Sequence, residues 1–365
     1  MSQANMRRAA KCTTKSTNKS VTECSNECIT EYVPECATKR ATMRTLARAL
    51  MVSASACVVA NGARAQSYPT KALKIIVPFV PGGSSDIVAR SVAVKLQTAI
   101  GQNVIVENRP GANGALAAEQ VMRAPPDGYI FMIGSIGTFA INAALYPKLP
   151  YDPLKDLEPL TLAVTTPNVL IVNPQLPVKS VKDLTDYSRK NPGKLTWCSS
   201  GTGSSDHLSA ELFKLRTKTF GPHVPYRGGA AAMADMMGGN VDASFQNLGA
   251  AVPHIRSGRL KALAVTSAVR TSVLPDTPTM IEAGMADFIV TSWQAFMAPK
   301  GLPKEIRDRL NTELVAALNS ADLKERFALQ GFDVVANKPD EFAQFQRQEI
   351  ERWREVVKQK GLTPD

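Results

Sequence analysis

From Tyr68 onward, short runs of aliphatic and β-branched residues alternate with longer segments in which apolar side chains recur every three or four positions. Val88, Val92, Leu96 and Ile100 fall on one face of such a segment, which predicts an amphipathic helix. The predicted strands are 73–80, 104–106, 129–133, 169–172, 194–198, 241–245 and 261–266. The predicted helices are 86–100, 114–124, 181–190, 207–218, 230–237, one that opens at Pro303, and 339–360. This alternation predicts an α/β fold with mostly parallel sheets.

Length and composition are those of a folded, water-soluble chain. The 365 residues suggest two domains or two lobes, and 44% hydrophobic with 21% charged residues excludes global disorder. Residues 1–65 hold ten Lys or Arg and four Asp or Glu, which supply six of the eleven net positive charges. The rest of the chain has an ordinary charge balance, and 6% aromatic residues are too few to stack on bases, so no nucleic-acid partner is expected. Three His and scattered Cys argue against a metalloenzyme.

Residues 43–65 have the three parts of a secretory signal peptide. Two arginines give a positively charged start, residues 49–60 form a short apolar run, and Ala63-Arg64-Ala65 is a small-x-small cleavage motif. The apolar run is too short for a permanent transmembrane helix, so we expect cleavage near Ala65 and a periplasmic chain. Acylation of Cys57 is the alternative, although the residues before it lack the Leu that usually accompanies such a site.

Residues 1–42 precede this signal and carry a short repeat that ends in Glu-Cys. The repeat is either a thiol metal site or part of a segment upstream of the natural start. Because a signal peptide acts from the start of a chain, we interpret 1–42 as a non-native or untranslated extension and Met43 as the start. Cys198 is then the one cysteine of the mature chain, which excludes an intramolecular disulfide.

Two loops, each between a predicted strand and a predicted helix, carry the candidate chemistry. Residues 78–86 and 198–207 both contain Gly-Ser-Ser-Asp, with the two strings 120 residues apart. Glycines allow close backbone approach, and hydroxyls next to the open N–H groups of a helix N-terminus bind anions without Lys or Arg. At the carboxyl ends of strands, facing loops would hold one anionic ligand from both sides. The alternative is that both are only capped turns, with Asp86 and Asp206 as caps.

Enzyme signatures are weak. The first loop lacks the G-x-G-x-x-G spacing of a dinucleotide site, and the second is not the G-x-S-x-G nucleophile elbow. Ser204 or Ser205 beside His207 could serve as the nucleophile and base of a secreted hydrolase, but capping or packing accounts better for a His in the first turn of a helix. Cys198 is interpreted as a packed thiol, and we expect no enzymatic activity.

Eight blocks of the chain carry a more specific pattern. In order they read PFVPGGSSDIVAR (78–90), VENRPGANG (106–114), PDGY (126–129), GTGSSDHLSAELF (201–213), VPYRGG (224–229), GNVDASF (239–245), GRLKALAVTSAVR (258–270) and LPDTPTMIEAG (274–284). In this order and spacing the chain resembles the substrate-binding receptors of tripartite tricarboxylate transporters, the Bug receptor family. The resemblance implies a two-lobed periplasmic-binding-protein fold, of the Venus flytrap, type II-like kind, with a ligand cleft between the lobes. It also implies capture of a small organic acid and delivery to membrane transporter subunits, without catalysis, metal or cofactor, and we expect a monomer.

The resemblance places the ligand carboxylate between the two loops, partly through ordered water. The ligand-binding residues it implies are Phe79, Gly82, Gly83, Ser84, Ser85, Asp86, Ser135, Gly137, Thr138, Thr166, Ser200, Gly201, Thr202, Gly203, Ser204, Ser205, Tyr226, Arg227 and Gly228. Arg227 is a candidate for a second carboxylate or for a structural salt bridge. Because no cluster of Lys or Arg lines the loops, we expect a mono- or dicarboxylate, or an amino acid, rather than citrate.

The family architecture assigns residues 66–166 and 292–365 to lobe one and 167–291 to lobe two. Closure about two crossing strands would bury the ligand. The expected function is an extracytoplasmic solute-binding receptor for a tripartite tricarboxylate-type transporter. A periplasmic sensor that binds the same ligand but signals is the alternative, and a secreted hydrolase is a more distant one.

Overall fold

The computed structural model describes residues 68–363. The extension 1–42, the signal peptide 43–65 with its cleavage site at Ala65, and Cys57 lie outside the described residues. The strands are β1 (Leu73–Val77), β2 (Val104–Asn108), β3 (Ile130–Ser135), β4 (Leu157–Val172), β5 (Trp197–Ser199), β6 (His223–Pro225), β7 (Ala243–Asn247), β8 (Lys261–Val265), β9 (Thr291–Pro299) and β10 (Asp333–Val334). The helices are α1 (Ser84–Ile100), α2 (Ala115–Met122), α3 (Asn142–Leu145), α4 (Val181–Lys190), α5 (Ser205–Thr217), α6 (Gly229–Met237), α7 (Leu248–Arg256), α8 (Lys304–Leu318), α9 (Ala321–Gln330) and α10 (Pro339–Lys360). A 3-10 turn (Ala112–Gly114) precedes α2, and a π-helical segment (Gly137–Ile141) precedes α3. Between residues 68 and 363, no helix combines the length and apolar character needed to cross a bilayer.

The strands are hydrogen-bonded in the order β2-β1-β3-β9-β4-β7-β5-β6, and β8 and β10 also pair with β4. β1 runs parallel to β2 and β3, and β5 runs parallel to β6 and β7. Every antiparallel ladder involves β4 or β9. The sheet is therefore mixed rather than mostly parallel as predicted, because β9 runs antiparallel to β3 and to β4, and β4 runs antiparallel to β7 and β8.

β4 belongs to both halves of the molecule. Residues 157–167 pair with β9, whereas residues 168–172 pair with β7 and β8. We call the half built on β1, β2, β3, β9, β10 and the start of β4 the first lobe. The half built on β5 to β8 and the end of β4 is the second lobe. The chain passes between the two halves along β4 and again on entering β9.

Each lobe has an apolar cluster on both faces of its sheet. In β1, Leu73, Ile75 and Val77 pack with α1 and α8, whereas Ile76 points to the opposite cluster, which contains Trp293. The second lobe repeats this division, with Leu170 and Val172 on one face of β4 and Val169 and Ile171 on the other. This period of two is what a strand covered on both faces requires.

The predicted elements are present, with ends displaced by a few residues. Val88, Val92 and Leu96 of α1 are fully buried, and the Ser180 hydroxyl accepts a hydrogen bond from the Asp183 N–H at 3.0 Å, which caps α4. The sequence did not predict the first half of β4, the strands β6, β9 and β10, or the helices α3, α7 and α9. Two of the missed strands, β4 and β9, join the two lobes.

Candidate ligand-binding site

A pocket lies where the turns that follow β1 and β5 meet. The space between the lining atoms is about 440 Å³, which includes the part that opens to solvent. It is lined by Phe79, Gly83, Ser84, Ser85, Ser135, Ser200, Ser204, Ser205, Asp206, Gly229, Gln246, Asn247, Ala250 and Ser292. Both lobes and the joining strand β9 therefore contribute to one site. Among these lining residues, Asp206 is the one with an ionisable side chain.

The first-lobe side of the pocket is the N-terminus of α1. Ser84 and Ser85 form its first turn, where backbone N–H groups have no intrahelical acceptor and the helix dipole is positive. Asp86 does not line the pocket: its carboxylate accepts hydrogen bonds from the Gly82 N–H at 2.9 Å, Arg90 Nε at 3.0 Å and Asn108 Nδ2 at 2.9 Å. Burial alone would raise the pKa of Asp86, but these hydrogen bonds outweigh it and hold the pKa below its usual value. Asp86 thus fixes the loop as an anion.

The second-lobe side of the pocket is the N-terminus of α5. The carboxylate there is that of Asp206, and its surroundings differ from those of Asp86. Asp206 is 2% exposed and accepts hydrogen bonds from the Ser200 N–H at 3.0 Å, the Ser200 hydroxyl and the Ser205 hydroxyl at 3.2 Å. Burial raises the pKa of Asp206, although these hydrogen bonds act in the opposite direction. The same Gly-Ser-Ser-Asp string thus holds a charge-paired carboxylate in one lobe and a desolvated carboxylate in the other.

The two lobes touch around the pocket. The Val80 N–H donates to the Arg227 carbonyl at 3.2 Å, and the Tyr146 hydroxyl donates to the Thr202 carbonyl at 3.4 Å. Gly203 has φ +83°, and a Cβ there would lie 3.1 Å from Asn142 Oδ1 in the first lobe. A residue with a Cβ would therefore be strained at this contact between the lobes, which touch across a closed cleft.

A second compartment, of about 600 Å³, adjoins the pocket and shares Phe79 and Ser200 with it. The predicted residues Gly201, Thr202, Tyr226 and Arg227 line this compartment rather than the pocket itself. The exposed Arg227 guanidinium forms no ion pair with any residue in the range 68–363, so the salt-bridge alternative has no partner there.

The structure brings eight of the predicted residues into the pocket: Phe79, Gly83, Ser84, Ser85, Ser135, Ser200, Ser204 and Ser205. Seven of the predicted residues line neither the pocket nor the second compartment: Gly82, Asp86, Gly137, Thr138, Thr166, Gly203 and Gly228. The Thr138 hydroxyl donates to the Asn113 carbonyl at 3.1 Å, and that of Thr166 donates to the Gly331 carbonyl at 2.8 Å. These two hydroxyls stabilise backbone around the site.

Sequence reasoning missed Gly229, Gln246, Asn247, Ala250 and Ser292 as lining residues and treated Asp206 only as a cap. Asn247 Nδ2 donates to Asn168 Oδ1 at 2.7 Å, and Asn247 Oδ1 accepts from Gln294 Nε2 at 3.2 Å. An amide network thus forms the floor near the strands that join the lobes. The amide pair Gln246-Asn247 at the end of a buried strand is the sequence feature that could have indicated these lining residues.

The groups proposed for hydrolysis hold the second loop in place. The Ser204 hydroxyl accepts from the His207 N–H at 3.2 Å, and His207 Nδ1 accepts from the Gly203 N–H at 3.2 Å. The His207 ring stacks on His223, with ring centroids 4.3 Å apart. Burial raises the pKa of the Cys198 thiol to about 12, which makes it unreactive near neutral pH.

A two-lobed α/β fold that closes a small polar pocket between its lobes defines a solute-binding receptor of the Venus flytrap kind. Residues 88–362 match the family described as "Tripartite tricarboxylate transporter family receptor", and the chain belongs to that family. The family predicted from the sequence is confirmed.

Known relatives agree in both sequence and fold. Protein BugT of Bordetella pertussis is 39% identical over 304 residues, which cover 83% of this chain and 93% of BugT. The structure of periplasmic binding protein BugD has 35% identity and a TM-score of 0.79, covering 82% of this chain and 100% of that one. The structure of R. palustris Rpa4515 with adipate has 38% identity and a TM-score of 0.79, with the same coverage. The predicted two-lobed periplasmic-binding-protein fold is confirmed, and the chain is a solute-binding receptor, as predicted.

Proposed function

We propose that this chain is a periplasmic receptor that binds a small organic carboxylate in the pocket between its lobes. The observation that carries the proposal is the pocket wall: two helix N-termini, α1 and α5, meet there with five serines from their two turns. Helix N-termini and hydroxyls bind anions without a cationic side chain. The adipate bound to the relative Rpa4515 supports a carboxylate as the ligand class.

The ligand carboxylate would accept hydrogen bonds from first-turn N–H groups of both helices. Ser84 and Ser85 offer theirs from the first lobe, and Ser205 offers its own from the second. Hydrogen bonds to a charged group contribute about 1.5–3 kcal/mol each, so a few of them are enough for micromolar affinity. Ionised Asp206 would repel the ligand, and its burial, which disfavours its charged form, reduces that repulsion.

The proposed lobe boundaries are 66–166 with 292–365, and 167–291. The change of β4 partner after Pro167 and the start of β9 at Thr291 support these boundaries. Only short stretches of backbone then need to rotate for the lobes to part. We infer that the ligand enters the open form and stabilises the closed one.

We also propose export through the signal peptide at 43–65, cleavage near Ala65, and delivery of the ligand to membrane subunits of a tripartite tricarboxylate-type transporter. The monomeric state is part of this proposal. The mass of the protein recovered from the periplasmic fraction tests the cleavage: a chain beginning near Gln66 is expected, and an intact or lipid-bearing chain at Cys57 contradicts it.

Ligand binding itself is tested with purified protein that has been unfolded and refolded to remove bound ligand. Isothermal titration and melting temperature are measured with a panel of mono- and dicarboxylic acids and amino acids. A ligand that binds only the folded state raises the melting temperature. At least one acid is expected to bind with micromolar affinity, and failure of the whole panel contradicts the proposal.

The matched variants are Gly83→Leu and Gly238→Leu. Gly83 lines the pocket, has φ −81°, and its added Cβ would have no closer neighbour than the Val80 carbonyl at 3.8 Å. Leu there fills the pocket without backbone strain and is expected to abolish binding. Gly238 ends α6 at the surface with φ −77°, so the same substitution there leaves binding unchanged. Equal affinity of the two variants would place the ligand elsewhere.

A further inference from the structure

A separate space between the lobes lies on the other face of β9 from the pocket. Thr291 lines this space and Ser292 lines the pocket, and successive residues of a strand point to opposite faces. We call it the rear cavity; it measures about 940 Å³ between its lining atoms, including the part that opens to solvent. Residues of α5, of α10 and of the segment 287–291 line it.

The rear cavity is mostly apolar and carries positive charge. Seven of its eleven lining residues are apolar, among them Leu212 of α5 and Ile289, which is 46% exposed. Two arginines, Arg216 and Arg352, stand in the lining against one acid, Asp287. A mostly apolar wall with a few polar groups, placed between two lobes, is the usual composition of a small-molecule site.

The two arginines differ in their partners. Arg352 forms an ion pair with Glu349 at 2.9 Å. The guanidinium of Arg216 donates to the Ala286 carbonyl and lies over the Phe288 ring, and it forms no ion pair within residues 68–363. Arg216 thus leaves a cation at the cavity available to an anionic group from outside this part of the chain.

The indole of Trp353 is buried in the same wall without a hydrogen-bond partner. Trp353 is 4% exposed, and its Nε1 has no acceptor among the described residues. Trp293 of the same apolar cluster, in contrast, donates to Glu349 Oε2 at 3.0 Å. An indole N–H can only donate, and burial without an acceptor destabilises the folded state, so an acceptor that enters the cavity would supply what is missing.

The rear cavity lies between a helix of each lobe. The first turn of α5 lines the pocket, and its later residues line the rear cavity. α10 packs on α3 and on the π-helical segment Gly137–Ile141 of the first lobe. When the lobes part about β4 and β9 on the Ser292 side, α5 moves toward α10 on the Thr291 side. A molecule that fills the rear cavity therefore holds the two helices apart and favours the closed cleft.

We propose that the rear cavity binds a second small molecule, an apolar body with one anionic head group, and that this binding favours the closed form. The apolar body lies against the aliphatic residues, and the head group pairs with Arg216 and accepts from Trp353 Nε1. The site is separate from the pocket, so its existence does not depend on the proposed receptor function. By linkage, an acid bound in the pocket and a molecule in the rear cavity strengthen each other's binding.

The experiment uses the refolded, ligand-free protein and the fluorescent probe anilinonaphthalene sulfonate, which has an apolar body and one anionic group. Octanoate and 1-octanol are the competitors, since they share an alkyl chain and differ in the charged head. Arg216→Glu and Ile289→Asp alter exposed residues of the cavity. Their matched controls are Lys358→Glu of α10 and Val269→Asp, which are exposed and lie outside the cavity.

We expect the parent to bind the probe, and octanoate to displace it at a concentration at least tenfold lower than 1-octanol does. Arg216→Glu should weaken the probe at least tenfold and Ile289→Asp at least fivefold, whereas each control changes its affinity by less than twofold. Gly83→Leu, which blocks the pocket, should bind the probe as the parent does. Saturating octanoate should lower the radius of gyration of the parent but not that of Ile289→Asp.

Each part of the proposal has a result that overturns it. No probe binding by the parent, loss of it in Gly83→Leu, or parent-like affinity in both cavity variants overturns the site. Equal displacement by octanoate and 1-octanol, measured on the parent alone, overturns the anionic head group. An unchanged radius of gyration overturns the effect on closure. Probe binding together with failure of every acid in the pocket contradicts the receptor function and leaves the rear site standing.

Discussion

Replacing Gly203 by Ala tests whether the contact between the lobes is needed for binding. Gly203 lies outside the pocket, so an added methyl group does not meet the ligand. It does meet the first lobe, since the new Cβ would lie 3.1 Å from Asn142 Oδ1, 3.2 Å from Leu145 Cδ2 and 3.3 Å from Asn113 Nδ2. All three distances are shorter than the 3.4–4 Å of an ordinary van der Waals contact of a Cβ atom, so the neighbouring atoms must move by a few tenths of an ångström.

Two separate effects are expected from Gly203→Ala. The left-handed backbone, with φ +83°, costs a residue other than Gly roughly 1–2 kcal/mol, whether the lobes are open or closed. The contact with the first lobe acts only in the closed form. If it costs about 1 kcal/mol there, the ligand affinity falls about fivefold, because the ligand must drive closure against it.

Gly258→Ala separates these effects. Gly258 has φ +72°, and a Cβ there would have no heavy atom within 4 Å. Urea unfolding should therefore show that both variants lose about 1 kcal/mol or more of stability, whereas isothermal titration should show a loss of affinity only in Gly203→Ala. If both variants bind the ligand equally, the approach of Gly203 to Asn142 and Leu145 does not belong to the ligand-bound form, and the reasoning is refuted.

Three further predictions follow from the same contacts. Asp86 has a lowered pKa in the folded protein, so its stabilising effect is present above its unfolded pKa of about 3.9 and is lost as the pH falls through the folded value. The melting temperatures of the parent and Asp86→Asn should thus differ at pH 7, and the difference should shrink as the pH falls below the unfolded pKa of about 3.9; a difference independent of pH contradicts this account. Cys198, with its pKa raised to about 12 by burial, should resist iodoacetamide at pH 8 in the folded protein and react in urea, as read from the mass of its peptide; rapid labelling of the folded form would show that the thiol is accessible. Ligand binding to refolded protein should lower the radius of gyration measured by small-angle scattering, and an unchanged radius at saturation argues against closure.

The alternation of strands and helices could be predicted because most elements follow one hydrophobic period each. β4 could not, since Pro159 and Pro167 interrupt its sequence and a proline usually argues against an inner strand. In the structure the β4–β9 register shifts next to Pro159, and β4 changes partner after Pro167. α7 contains Pro253, which argues against a helix in the same way. β4 and α7 form because of contacts with other parts of the fold, and a local pattern of hydrophobic residues does not contain that information.

The candidate site was partly predictable because its two main loops share one string of residues. Ser292 is a polar residue in a mostly apolar strand, far from both loops in sequence, and only the sheet brings it to the pocket. Thr138 and Thr166 were predicted to bind the ligand, and in the structure their hydroxyls donate to backbone carbonyls near the site. Sequence indicates where a hydroxyl occurs, whereas its partner depends on the packed structure.

The position of β9 between β3 and β4 sets the order in which the two lobes can form. Met132 of β3 pairs with Met297 of β9, so the first lobe cannot join β3 to β4 before residues near 297 are available. The strands of the second lobe, by contrast, are all present once Val265 has been added. Because a chain is synthesised from its N-terminus, the lobe that begins the sequence is therefore the later one to be completed, and it remains open to chaperones and proteases for longer.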